Sequence, residues 1–310
     1  MRSGNPSKAL LAIASLFSIV AVGGAARLFL RLSHTPTNFT ALGLGLSLGP
    51  CLAAYALVPA QRKQAARRLV LFTGGLTMLA FSLLASANLD LEGFFQLLFE
   101  GVGGAAIGHT LATLVVGPLF FGRVLCGWGC WRAMILELLP VGRGNGRRIG
   151  IWRYLPLAGL GAVFAAAALG FFAFGHRAGG APGSPASAGT ESLLIGFGVY
   201  YVASIGLGFA LRDQRAFCKY LCPSAVILRL TSRLSLLKMG TDRQLCNGCG
   251  ACSRVCPMDI DVRVFAASGS RVLSGECILC QRCAQACPTG AVAPGFGFDV
   301  ARRTPFAHFD

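Results

Sequence analysis

Eight cysteines towards the C-terminus repeat one spacing, C-x2-C-x2-C-x3-C-P. The first run is Cys246, Cys249, Cys252 and Cys256 before Pro257; the second is Cys277, Cys280, Cys283 and Cys287 before Pro288. Thiolates at two-residue gaps wind around one iron–sulfur cube and hold three of its irons, while the cysteine beyond them reaches a second cube. The spacing therefore predicts two [4Fe–4S] clusters. One takes Cys246, Cys249, Cys252 and Cys287, the other Cys277, Cys280, Cys283 and Cys256. Structural zinc uses two C-x2-C pairs and has no need of a third cysteine in each run. Gly248, Gly250, Ala251 and Ala284 let the backbone come close to the sulfides, where amides can donate. Adjacent cubes pass single electrons, and their potentials span roughly −700 to +450 mV, so the spacing leaves direction open.

Two C-x3-C pairs precede these runs, in "RVLCGWGCWRAMILEL" and "RAFCKYLCPSAVILRL". Cys126 aligns with Cys218, Cys130 with Cys222 and Arg123 with Arg215, which makes an internal repeat. A repeat packed about a pseudo-twofold axis would gather the four thiols. On one helix, cysteines at i and i+4 share a face. Three chemistries fit such a set: a further Fe–S cluster or zinc site, a redox-active dithiol, or small apolar packing.

The elements that must position these thiols are apolar. Of 310 residues, 54% are hydrophobic and 13% charged, about half the ~25% charged content of soluble domains. A lipid bilayer is the solvent that suits this chain. Six uncharged windows are long enough to span it: Ala9–Ala26, Phe39–Ala60, Leu69–Leu89, Gly101–Gly122, Tyr154–Gly175 and Ser192–Leu211. The first exceeds the ~7–15 apolar residues of a signal-peptide core. Basic residues crowd "QRKQAARR" and the segments 123–153 and 212–238. The opposite loops hold Arg27, Arg31 and Arg177 beside Asp90, Glu92, Glu100 and Glu191. The positive-inside rule then puts both termini and the cysteine-rich tail in the cytoplasm, within a multi-pass bacterial inner-membrane protein. The net charge of +16 is assigned to topology, and nucleic acid is not expected as a partner. A reducing cytoplasm also disfavours disulfides.

The fold expected is an all-α polytopic membrane domain of six transmembrane helices with a C-terminal α+β two-[4Fe–4S] ferredoxin-like domain. Residues 1–238 make the first part, 239–290 the second and 291–310 a tail. A core of some fifty residues needs metal or disulfides to hold it.

Other residues carry weaker expectations. His109 in the fourth window is read as helix packing, with a quinol site as the alternative. Cys51 is read as a small hydrophobe, and Gly104-x3-Gly108 as close helix packing. Asp90, Glu92 and Glu100 form an external acidic cluster, either interface polarity or a docking patch for a basic cytochrome. Residues 227–238 read as an interfacial helix whose Arg229 and Arg233 meet anionic lipid. Trp128, Trp131 and Trp152 read as interface aromatics, and 176–190 as an external loop.

With six windows, two C-x3-C motifs and the eight-cysteine tail, the chain resembles the NapH-type membrane-bound ferredoxin family, which includes NapH, MauN and the C-terminal half of NosR. Members carry C-x3-C-P at both pairs; here Pro223 follows Cys222 but Trp131 follows Cys130. The resemblance implies a relay of electrons between a quinol pool or cytoplasmic donor and a membrane or periplasmic redox system. Its partners would be a ferredoxin-type protein, a cytochrome c or a periplasmic oxidoreductase. The alternative is a maturation factor that supplies electrons for assembly of a partner enzyme's cofactor. No acid–base pair, nucleophile or nucleotide loop is apparent, so an electron-transfer subunit without a catalytic site is expected.

Overall fold

The computed structural model describes residues 55–298 except 85–87, 89, 102–104, 143, 145, 147–149 and 176–185. The window Ala9–Ala26, most of Phe39–Ala60, Cys51 and the side chain of His109 lie outside the described residues.

The described chain is mostly helical. Helix α1 (Lys63–Leu84) is followed by α2 (Leu91–Phe99), then by α3 (Ala105–Leu111), a π-helical stretch (Ala112–Val116) and α4 (Gly117–Phe121). The π stretch has a local cause. Pro118 has no N–H for the carbonyl of Leu114 one turn back, and the Thr231 hydroxyl donates to that carbonyl instead, at 3.1 Å. Gly122, at φ 60° and ψ −149°, a conformation almost confined to glycine, then turns the chain. Beyond it, α5 (Val124–Trp128) and α6 (Trp131–Leu136) leave at 92° to the preceding helix.

Helix α7 (Leu155–Phe174) opens on Pro156, where a missing N–H costs nothing, and closes on left-handed Gly175. Helix α8 (Ala186–Leu211) takes the last five residues of the loop expected over 176–190. The stretches Leu155–Phe174 and Leu193–Leu211 are long and apolar enough to cross a membrane, and the bent pair Ala112–Phe121 plus Val124–Leu136 makes a third candidate. Phe164, Phe172, Ile195 and Val202 are exposed along these helices, as a lipid-facing surface requires.

Helices α9 (Ala216–Tyr220) and α10 (Ser224–Arg233) follow, then β1 (Leu237–Thr241), α11 (Ala251–Arg254), α12 (Val262–Ser268), α13 (Arg282–Gln285) and β2 (Val292–Phe296). The strands pair antiparallel, Leu237 with Phe296 through Thr241 with Val292. One buried core runs from Leu136, Tyr200 and Phe217 in the helical part to Met239, Ile260, Ile278 and Val292 in the cysteine-rich part.

Several expectations need correction. Residues 227–238 are not one interfacial helix: α10 ends at Arg233 and Leu237 begins a strand. Arg229 faces the protein, with its guanidinium on the Lys219 carbonyl and 2.5 Å from Glu276. A Cβ at Gly108 meets nothing among the described residues, and Gly104 lies outside them. Asp90 and Glu92 are not an external patch. Helix α2 runs along α7, with Phe95 on Phe164 and Phe99 on both Phe164 and Phe172. This turns its N-terminus inward, where Asp90 meets Arg132 at 2.8 Å and Glu92 reaches Gly196 on α8. Trp128 and Trp131 are not interface aromatics. Trp128 is buried and donates to the Leu279 carbonyl at 2.9 Å, and Trp131 packs edge-on against Phe197 and Tyr201.

Candidate electron-transfer site

The cysteine-rich part is a twofold repeat at the backbone level. Gly248 and Leu279 share a left-handed φ, at 73° and 54°. Gly250 and Gln281 match at 68° and 59°, and Asp259 and Gly290 at 55° and 69°. Left-handed residues bend each run so that short helices α11 and α13 begin immediately after it, each presenting the third cysteine on its first turn. At the two glycines this backbone conformation carries no steric cost. Leu279 and Gln281 hold the same shape at about 1–2 kcal/mol each.

The fold brings Cys256 among Cys277, Cys280 and Cys283, close enough for the four to act on one another electrostatically. Burial pushes the Cys277 thiol up to about 12, and the neighbouring Cys256 and Cys280 add to this against a backbone hydrogen bond from Leu279. Cys252 feels Cys287 in turn. Around Cys287, burial is outweighed by donors from Thr289, Ala291 and Val292, which lower its pKa. Cys256, Cys277, Cys280 and Cys283 thus lie near one another, and Cys252 lies near Cys287.

The Cys277 run lies directly on α5. A Cβ at Gly127 would stand 2.3 Å from the Ile278 carbonyl oxygen, so only glycine allows the approach. Gln64 donates to the Gln285 side chain at 2.7 Å and Tyr55 to Gln281 at 3.1 Å. Arg123 reaches Glu276 at 2.8 Å. Glu137, just after α6, collects Arg67 at 3.0 Å, Arg215 at 2.5 Å and Arg282 at 3.0 Å. Burial alone would raise Glu137; the guanidiniums of Arg215, Arg67 and Arg282 outweigh it and hold the carboxyl at about 2. Lys219, wholly buried, bridges Asp213 and Asp259 at 2.5 Å each.

The internal repeat survives in three dimensions. Helices α5 and α9 occupy matching positions, each with the repeat arginine, Arg123 or Arg215, at its N-cap. The two cysteines of a pair do not share one helix. Gly129 ends α5, so Cys126 lies within it and Cys130 caps α6; Cys218 lies in α9 and Cys222 precedes α10. The four thiols nevertheless gather. Cys130 interacts with Cys126 and Cys218, and Cys218 with Cys222.

The buried ions were not legible as site residues. Charge counting had placed Arg67, Arg123, Arg132, Arg215 and Lys219 in a topogenic surplus, yet all five are buried. The available signal was the scarcity of acids: with 12 in the chain, a lone Glu137 or Asp213 in a basic segment marks a partner.

The family described as a 4Fe-4S dicluster domain matches residues 238–291. MauN of Paracoccus denitrificans, a methylamine utilization ferredoxin-type protein, is 32% identical over 192 residues, covering 57% of this chain and 61% of its own. The ferredoxin-type protein NapH of Escherichia coli is 29% identical over 110 residues, 34% of this chain and 38% of its own. The chain is similar to the NapH/MauN-type ferredoxin proteins. Escherichia coli YccM is 31% identical over 98 residues, 32% of this chain and 25% of its own. The chain thus spans between a quarter and three fifths of these relatives' lengths. No solved structure matches. The chain carries a 4Fe-4S dicluster domain, and among its described residues are helices long and apolar enough to cross a membrane.

Proposed function

We propose that the protein is a multi-pass inner-membrane relay. Two [4Fe–4S] clusters, on Cys246, Cys249, Cys252, Cys287 and on Cys277, Cys280, Cys283, Cys256, exchange electrons with the helical domain across the α5 contact. In this reading the chain crosses the bilayer six times, with the dicluster domain of residues 239–290 and both termini on the cytoplasmic side. It connects a quinol pool or cytoplasmic donor to a membrane or periplasmic oxidoreductase or cytochrome. The observation that carries the reading is the seating of the Cys277 run on Gly127. It brings one cluster's ligand loop into backbone contact with the helix that bears Cys126. A domain meant only to meet soluble partners has no need of that contact.

The test is stopped-flow reduction of the full chain in lipid nanodiscs, first by reduced soluble ferredoxin and then by a quinol analogue. Cluster bleaching by at least one of them at a catalytically useful rate supports the relay. Clusters that stay oxidised with both, yet bleach with dithionite, would remove it.

A further inference from the structure

The four thiols of the two C-x3-C pairs sit inside a ring of three buried arginines. Arg123 and Arg215 are each 1% exposed and Arg132 is 5%. Arg123 lies within hydrogen-bonding reach of Cys126, and Arg215 of Cys218; Arg132 acts on Cys130 and Cys222. Each guanidinium already has a carboxylate: Glu276, Glu137 and Asp90 respectively. Those pairings leave donors over. Among the described residues Arg123 Nε, Arg215 Nε and both Nε and NH2 of Arg132 find no hydrogen-bond acceptor. Arg132 NH2 is 2.8 Å from Asp90 but off the hydrogen-bond direction. The hydroxyl of Tyr200, whose ring lies 3.8 Å from the Arg132 guanidinium, is idle too.

A buried donor without an acceptor costs about 1–3 kcal/mol, and the described chain concentrates four guanidinium donors around one set of thiols. What is missing there is an anionic group rich in acceptor atoms. Four neutral thiols are poor acceptors; four thiolates around iron and sulfide are strong ones. A single zinc ion is the competing occupant, and metal content separates the two. The ferredoxin loop lies against the same helix α5, so the site sits next in line for an electron.

We infer that Cys126, Cys130, Cys218 and Cys222 hold a third iron–sulfur cluster, with Arg123, Arg132 and Arg215 donating to its sulfurs. The inference rests on the relay reading. Reduction is a one-electron exchange in which the neighbouring ferredoxin cube is oxidised by one electron and this centre is reduced by one, with no bond made or broken.

The test uses the full chain purified anaerobically in detergent, with iron and zinc quantified and low-temperature EPR recorded on dithionite reduction. Wild type should hold about 10–12 irons, two cubes and a smaller or equal third cluster. Cys130→Ser/Cys222→Ser should fall to about 8 with the ferredoxin spectrum kept, which also shows that the variant folds. Unchanged iron in that variant, or zinc lost in place of iron, overturns the inference. Arg132→Gln spares every ligand. It should move the third centre's midpoint to lower potential and leave the ferredoxin signals in place, and an unmoved midpoint overturns the inference equally. A wild type without iron would instead sink the relay reading.

Discussion

Replacing Gly127 by alanine tests whether the dicluster domain is seated on the membrane domain as described. The new Cβ would lie 2.3 Å from the Ile278 oxygen, where contacts under 3.0 Å are essentially never tolerated, so the loop must retreat by roughly 0.7 Å. The obstacle is backbone and cannot rotate away. Overpacking of this kind costs about 1–3 kcal/mol, and alanine returns up to about 1 kcal/mol in helix propensity. The net loss of about 1–2 kcal/mol favours the undocked state by a factor of about 5–30. Hydrogen exchange read on residues 276–281 should show protection falling by that factor in Gly127→Ala. Gly142→Ala, whose Cβ meets nothing, serves as the control. Unchanged protection in Gly127→Ala, with iron content intact, would refute the close contact and the relay path built on it.

Further outcomes follow from the buried ions. Glu137→Gln leaves Arg67 and Arg215 without their buried carboxylate and should destabilise the protein by about 3–5 kcal/mol, read as a fall in thermal midpoint. Because Glu137 is held at about 2, below the ordinary ~4.3, its contribution is complete above the ordinary value and is lost as pH falls towards 2. The gap between wild type and Glu137→Gln should therefore close progressively as pH falls from about 5 through about 2, and a constant gap would contradict the pairing. Lys219→Met strands Asp213 and Asp259 together and should cost a similar ~3–5 kcal/mol, with Lys219→Arg recovering part of it. Trp128→Phe removes one donor to Leu279 and should cost only about 1 kcal/mol, seen as a small loss of protection at residues 278–280.

Local spacing made the dicluster domain legible: eight thiols and two prolines define their own chemistry within 43 residues of chain. The C-x3-C repeat was legible for the same reason, down to the matching arginines. The turn between the cysteines of each pair was not. A C-x3-C spacing fits one helix equally well, and the break at Gly129 depends on how α6 packs against α1, where Gly75 makes room for Met134. The ion pairs escaped because their partners are distant in sequence, as with Glu137 and Arg282, and nothing local distinguishes a buried arginine from a topogenic one. The inward turn of α2 was hidden likewise, since Asp90 reads as external until Arg132 is seen beside it.

The most direct test of the account is iron quantitation with low-temperature EPR on the dithionite-reduced, anaerobically purified full chain. The account predicts at least about eight irons per chain and a spectrum in which two adjacent cubes couple magnetically. A colourless protein without iron, or isolated signals with no coupling between them, would contradict it.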